Sequence, residues 1–208
     1  RTSIAELLRH RGDFAGAAAE LERLLAMLDA EPDLQSARQS TQLFLALVYS
    51  DAERHSDALP LLRAAHASAI QRRDDELLTE VRYILIYTLT QLGRVNEAVQ
   101  EQEALLTFAR QRRAPGPLLL EYLVHAADLW SAAGNTERAY QRWGEALELV
   151  DAHGTPALAG LVRNNVSVGV RLRGEPRRAL RLAREAVALV PEELRDMLRL
   201  TQAQRSEE

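Results

Sequence analysis

The sequence predicts an all-α repeat protein, an α-solenoid of about five helix-turn-helix units. Two observations carry that prediction. Five short motifs begin at Gly12 (GDFAGA), Glu53 (ERHSDA), Gly93 (GRVNEA), Gly134 (GNTERA) and Gly174 (GEPRRA), separated by 41, 40, 41 and 40 residues. Self-similarity at a fixed period of this length marks one supersecondary unit copied and stacked. Each motif also lies between Ala- and Leu-rich stretches with helical periodicity and ends in alanine five residues after its start. Alanine at a constant register lets helices approach closely, and only 5% of the chain is aromatic.

Each element follows from its own punctuation. The motif glycines stand where a helix needs a left-handed residue after its last turn, with capping residues next. The units read as residues 1–30, 31–72, 73–113, 114–153 and 154–190, joined by breakers at Glu31-Pro32, Arg73-Asp74-Asp75, Ala114-Pro115-Gly116 and His153-Gly154. In the first unit Ser3 to Glu6 form a potential capping box, and the helix looks shortened by about a turn, as expected of a fragment of a larger protein. In the third, the helix from Leu77 to Leu92 stops at Gly93, and Asn96 is a candidate cap for the next. In the fourth, the first helix starts near Pro117 and Thr136 opens the second. In the fifth, Thr155 and Pro156 make a cap and first-position pair for a helix running to about Arg173. Residues 191–205 read as a capping helix with Leu194, Met197, Leu198 and Thr201 on one face, covering the open end of the stack.

Composition narrows the function. The net charge of −4 gives no nucleic-acid footprint. No apolar run reaches the length of a membrane span, and no secretory signal opens the chain. Cysteine is absent, which excludes a thiol nucleophile and fits a reducing, cytoplasmic setting. All 26 Lys/Arg positions are arginine, which codon bias explains without an anion ligand. The five histidines are scattered, no phosphate loop follows a strand, and no nucleophile-base-acid set can be nominated. The chain therefore reads as a non-enzyme with no cofactor and no metal.

The motif series resembles the tetratricopeptide repeat, whose pattern is a turn glycine, an alanine five residues on, a bulky residue four after that, and a later proline. Gly134, Ala139, Trp143 and Ala146 match it in the fourth unit, and Gly174, Ala179, Ala183, Ala186 and Pro191 in the fifth. The first supplies Gly12, Phe14, Ala17 and Leu21. The second supplies Ala58, Leu62 and Ala65, with Glu53 in place of glycine. The resemblance covers about nine-tenths of the chain. HEAT-type repeats have a similar period, but the turn glycine with its following alanine favours the tetratricopeptide form. The long unit is similar to the repeats of maltotriose-activator-like bacterial regulators, peptide-sensing regulators and kinesin light chains. Leu161 to Val166, with its paired asparagines, resembles a recurrent helix of those proteins.

That resemblance implies a right-handed superhelix whose first helices line the concave face. In matching register the inward stripe includes Phe44, Leu47 and Asp51, then Tyr83, Tyr87 and Gln91, then Glu121, His125 and Asp128, and finally Asn164, Asn165, Val168 and Arg171. Spacings of three and four put each set on one helical face. Every member has a bland reading. Tyr83 and Tyr87 more often pack between helices than meet a ligand. Glu121, His125 and Asp128 resemble metal ligands, but three groups on one helix rarely converge on one ion. Trp130 and Trp143 read as core, and Arg110 to Arg113 as cations at a helix C-terminus. Asparagine in mid-helix has poor propensity and no capping role, so Asn164 and Asn165 point to a partner. The implied function is protein or peptide binding on the concave face. The chain would then be a sensing or interaction segment of a bacterial signal-transduction or transcriptional regulator, with homo-oligomerisation through the stack ends. A passive assembly scaffold is the alternative.

Overall fold

The computed structural model describes residues 2–28 and 32–189. The expected capping helix at 191–205, with Pro191, lies outside them, as does Glu31 of the first linker. Ten α-helices fill the described residues, and no strand occurs among them. In chain order they are α1 (Thr2–His10), α2 (Phe14–Leu28), α3 (Gln35–Asp51), α4 (His55–Arg72), α5 (Asp75–Gln91), α6 (Val95–Gln111), α7 (Gly116–Ala132), α8 (Thr136–His153), α9 (Pro156–Leu172) and α10 (Pro176–Leu189), with a 3-10 turn at Pro32–Leu34. The helices pair as the five repeats expected. By contacts the chain divides into two compact units, residues 1–105 and 106–208.

The turns explain why the period is so regular. Gly12, Gly93, Gly134 and Gly174 all have φ between 70° and 83°, the left-handed region that glycine enters without steric cost. Glu53 takes the same conformation at φ 57° in the second repeat. The backbone bonds are the same at all five. At Gly93, its N–H donates to the Thr90 carbonyl at 3.0 Å, and the Arg94 N–H reaches back to the Leu89 carbonyl at 2.8 Å. Two carbonyls orphaned at the end of α5 are thereby satisfied, the Schellman arrangement. Arg73 and Arg113 close α4 and α6 in the same way, each at positive φ.

Helix starts are more varied. Asp74, Asn135 and Thr155 cap α5, α8 and α9 by accepting from the N–H three residues on, at 3.1, 3.1 and 3.2 Å. Two expectations need correction. Helix α6 begins at Val95, so Asn96 lies inside its first turn and does not cap it. Ser3 likewise lies within α1, which already runs from Thr2, so it does not cap a helix beginning after it.

The core of each unit is a ladder of small residues. The motif alanines Ala17, Ala58, Ala98, Ala139 and Ala179 are all buried. Four residues on stand Leu21, Leu62, Gln102 and Trp143, also buried. Burying a leucine of this kind is worth roughly 1.5–3 kcal/mol. In the first unit α1 packs on α2, α2 on α3, α3 on α4 and α4 on α5; in the second α7 packs on α8, α8 on α9 and α9 on α10. Trp143 is core as expected, but Trp130 is only half-buried, with the Arg138 guanidinium 4.5 Å above its ring. The turn residue Arg54 covers Tyr49 in the same manner at 4.3 Å.

Candidate functional site

In the first unit Phe44 and Leu47 of the expected stripe border a cleft of about 390 Å³ between α3, α4 and α5. Its apolar floor is built from Leu43, Phe44 and Leu47 of α3 with Leu77 and Ile84 of α5. Helical periodicity puts Leu43, Leu47 and Phe44 on one side of α3, while Leu45 and Val48 turn into the core. The rim is polar and prearranged. Gln39 donates from its amide nitrogen to Ser68 Oγ at 3.0 Å and accepts from the Arg72 guanidinium at 2.8 Å. Asp74 and Glu80 bring carboxylates to the same cleft.

Phe44 therefore joins a built site. Tyr83 and Tyr87 do not line that cleft, yet they are 54% and 50% exposed. About half of each residue is therefore open to solvent and half is covered. Tyr87 rests edge-on against His55 of α4, centroids 5.7 Å apart. His55 Nδ1 is buried without a hydrogen-bond partner among the described residues.

In the second unit Glu121 and His125 line a separate cleft of about 330 Å³ with His153, Thr155 and Leu158. Gly116 makes room for it: a Cβ there would sit 2.1 Å from His153 Nε2. Asp128, one turn beyond His125, does not line this cleft. Its side chain reaches solvent, yet surrounding protein atoms crowd the carboxyl enough that desolvation raises its pKa, opposed by the charge of His125. Among the described residues no three His, Asp or Glu side chains group as a metal site.

Asn164 is exposed and Asn165 half-buried, and neither amide side chain has a hydrogen-bond partner among the described residues. Arg171 is exposed and forms no ion pair among them. Residues the sequence did not nominate also matter. Gln39, Ser68, Arg72 and His153 line the clefts from helix positions outside the first-helix stripe or at its margin. Only their register, late in a second helix or early in a first, could have indicated them.

No known protein-family pattern and no curated protein matches this chain. Solved structures do resemble it. The nearly identical TPR-like repeats of a kinesin-light-chain-type protein of Podosopora anserina superpose with a TM-score of 0.72 at 16% identity, covering 90% of this chain and 92% of that one. MamA gives 0.63 at 16% identity, covering 89% and 94%. A STAND signal-transduction ATPase of Pyrococcus horikoshii with a tetratricopeptide repeat sensor gives 0.64 at 19% identity, over 90% of this chain and 28% of that one. Such identities speak to the fold, and the fold is that of the tetratricopeptide-type helical repeat. No helix among the described residues is long and apolar enough to cross a membrane.

Proposed function

We propose that the chain binds a protein or peptide segment through the inward stripe of its first helices, and that it is the sensing segment of a bacterial regulator. The observation that carries this reading is the pair of half-exposed tyrosines, Tyr83 and Tyr87, in a chain of which only 5% is aromatic. A large ring left open on an ordered helix forfeits apolar burial that a partner can supply, and tyrosine is a residue on which binding energy concentrates. The apolar floor around Phe44 with its polar rim supports the same reading, since an extended segment needs side-chain pockets and hydrogen-bonding groups together.

Its mechanism is recognition rather than catalysis, in the cytoplasm and without a cofactor or direct nucleic-acid contact. Glu121, His125, Asp128, Asn164, Asn165 and Arg171 form a candidate surface of the second unit's own. Unpartnered amides such as those of Asn164 and Asn165 suit main-chain contacts. The sensor role finds support in the STAND protein, where a tetratricopeptide repeat is the sensor. Binding would act by shifting the population of states in attached domains.

The test is a displayed peptide library selected on the chain, followed by calorimetric titration of the enriched peptide. Tyr87→Ala and Phe44→Ala should each weaken binding at least tenfold, with Asn165→Ala weaker by a smaller factor. Arg181→Ala, on the exposed side of α10, should leave it unchanged. Loss of binding only with Arg181→Ala would move recognition off the stripe and reject the reading.

A further inference from the structure

The repeat register identifies two apolar surfaces whose equivalents in other repeats are buried or half-buried. On α1, Ile4 and Leu7 stand eight and five residues before the turn glycine Gly12. In the later repeats those positions hold Leu45 and Val48, Leu85 and Thr88, Ala126 and Leu129, and Val166 and Gly169, all buried. Ile4 and Leu7 are 52% and 58% exposed. On α10, Leu180 and Val187 stand six and thirteen residues after Gly174. The equivalents six after the turn include Leu59 and Val99, both buried, and Leu106 is buried at thirteen. Leu180 and Val187 are 53% and 59% exposed.

The internal joints show what belongs on these surfaces. Gly169, five before its turn, lies so close beneath Tyr140, six after the preceding turn, that a Cβ would come within 2.5 Å of the ring. Thr88, at the same position in the third repeat, meets Ser50 of the second at 3.2 Å. A position five before one turn thus packs on the repeat before it. Leu7 is built to receive a residue in the place of Leu180, and Leu180 to receive one in the place of Leu7.

We propose that a second copy of this chain supplies both, joining the α9–α10 end of one molecule to the α1–α2 end of the next in the register of an internal joint. The two surfaces also differ in charge. The α1–α2 end displays Glu6 and Asp13, with Glu20 half-buried, among exposed Arg11 and Arg23, whereas the α10 end is the more basic, with Arg177, Arg178, Arg181 and Arg184 exposed against Glu175 and Glu185. The position six before the turn faces the start of the preceding second helix, as Tyr87 does His55. In a joint between copies that brings Glu6 to the start of α10, beside Arg177. Such a contact uses different surfaces on the two partners and therefore repeats, giving chains or closed rings rather than a two-fold dimer.

Sedimentation of the 208-residue protein across a range of concentrations tests this, with circular dichroism confirming that each variant folds. The mass should rise with concentration. Leu7→Glu and Leu180→Glu should each weaken association at least tenfold, while Gln100→Glu on α6 should not. Mixed in equal amounts, the two blocked variants should form a dimer and nothing larger, since one open end remains on each. A monomer at every concentration, association that survives Leu7→Glu, or a mixture that stays monomeric would overturn the proposal. So would association that appears only after residues 191–208 are deleted, because the surface on α10 would then be covered from within the same chain.

Discussion

At the scale of single residues, the left-handed turn position separates glycine from everything else. Four of the five turns hold glycine there, and nothing lies within 4 Å of where a Cβ would stand at Gly12, Gly93, Gly134 or Gly174. Space does not select glycine at these sites; backbone sterics do, at a cost of roughly 1–2 kcal/mol for a residue with a Cβ. Glu53 bears that cost with an exposed side chain that makes no hydrogen bond or ion pair among the described residues. Glu53→Gly should therefore stabilise the protein by about 1 kcal/mol, less the extra freedom glycine gives the unfolded chain. Gly93→Ala should destabilise it by a similar amount. Urea midpoints of the two variants check both signs, and a loss of stability in Glu53→Gly would show that the glutamate has a role in the turn beyond its backbone.

At the scale of helices, the same residue type has opposite consequences in α8 and α9. Gly144 lies within α8 with open space around its Cα, so it contributes only the poor helix propensity of glycine. Gly169 lies within α9 under the Tyr140 ring. Gly144→Ala should raise the thermal midpoint by an amount equivalent to about 1 kcal/mol. Gly169→Ala should lower it, since the ring must move and overpacking typically costs about 1–3 kcal/mol. Equal shifts of the same sign would contradict the close approach of α8 and α9 at this point. Helix-level features were also where sequence reading divided. Helices and turns were legible because glycine at φ above zero, proline and the alanine register each have one dominant structural meaning. The α6 start was missed because the Schellman turn at Gly93 and Arg94 leads directly into the helix, which leaves Asn96 no capping position. The exposure of Tyr83 and Tyr87 was not legible, since an aromatic at helical spacing fits core and groove equally. Neither was the cleft around Phe44, because Gln39, Ser68 and Arg72 come from helix ends whose contacts depend on packing. Gln102 was equally hidden, a polar side chain buried where the other repeats place leucine or tryptophan.

At the scale of the molecule, the helices within each unit touch mainly their neighbours in sequence, with α3 on α5 the one longer step among the larger contacts between α-helices. Stability in such a stack is a sum of local terms, and opening starts where a repeat lacks a neighbour. Amide hydrogen exchange at low protein concentration should therefore be fastest in α1 and α10, and slowest in the buried segments of α3 and α9. Uniform protection across all helices would indicate one all-or-none unit. The ion pairs between repeats do little to change that expectation. Those of Arg63 with Glu97 and Arg173 with Glu137 are largely solvent-exposed, and exposed pairs contribute about 0–1 kcal/mol each.

The backbone accounting at Gly93 has one more consequence, for how such a chain can change its length. Both bonds that close α5 there are made between residues 89 and 94, and none reaches into another repeat. A gene duplication that inserts a whole unit of 40 or 41 residues at this point reproduces the same two bonds and leaves no donor or acceptor stranded. An insertion of two or five residues inside a helix would instead rotate the alanine ladder by roughly 140–160°, off its neighbour. Growth and shrinkage of this protein by recombination should therefore proceed in full repeats, with the turn as the tolerated breakpoint.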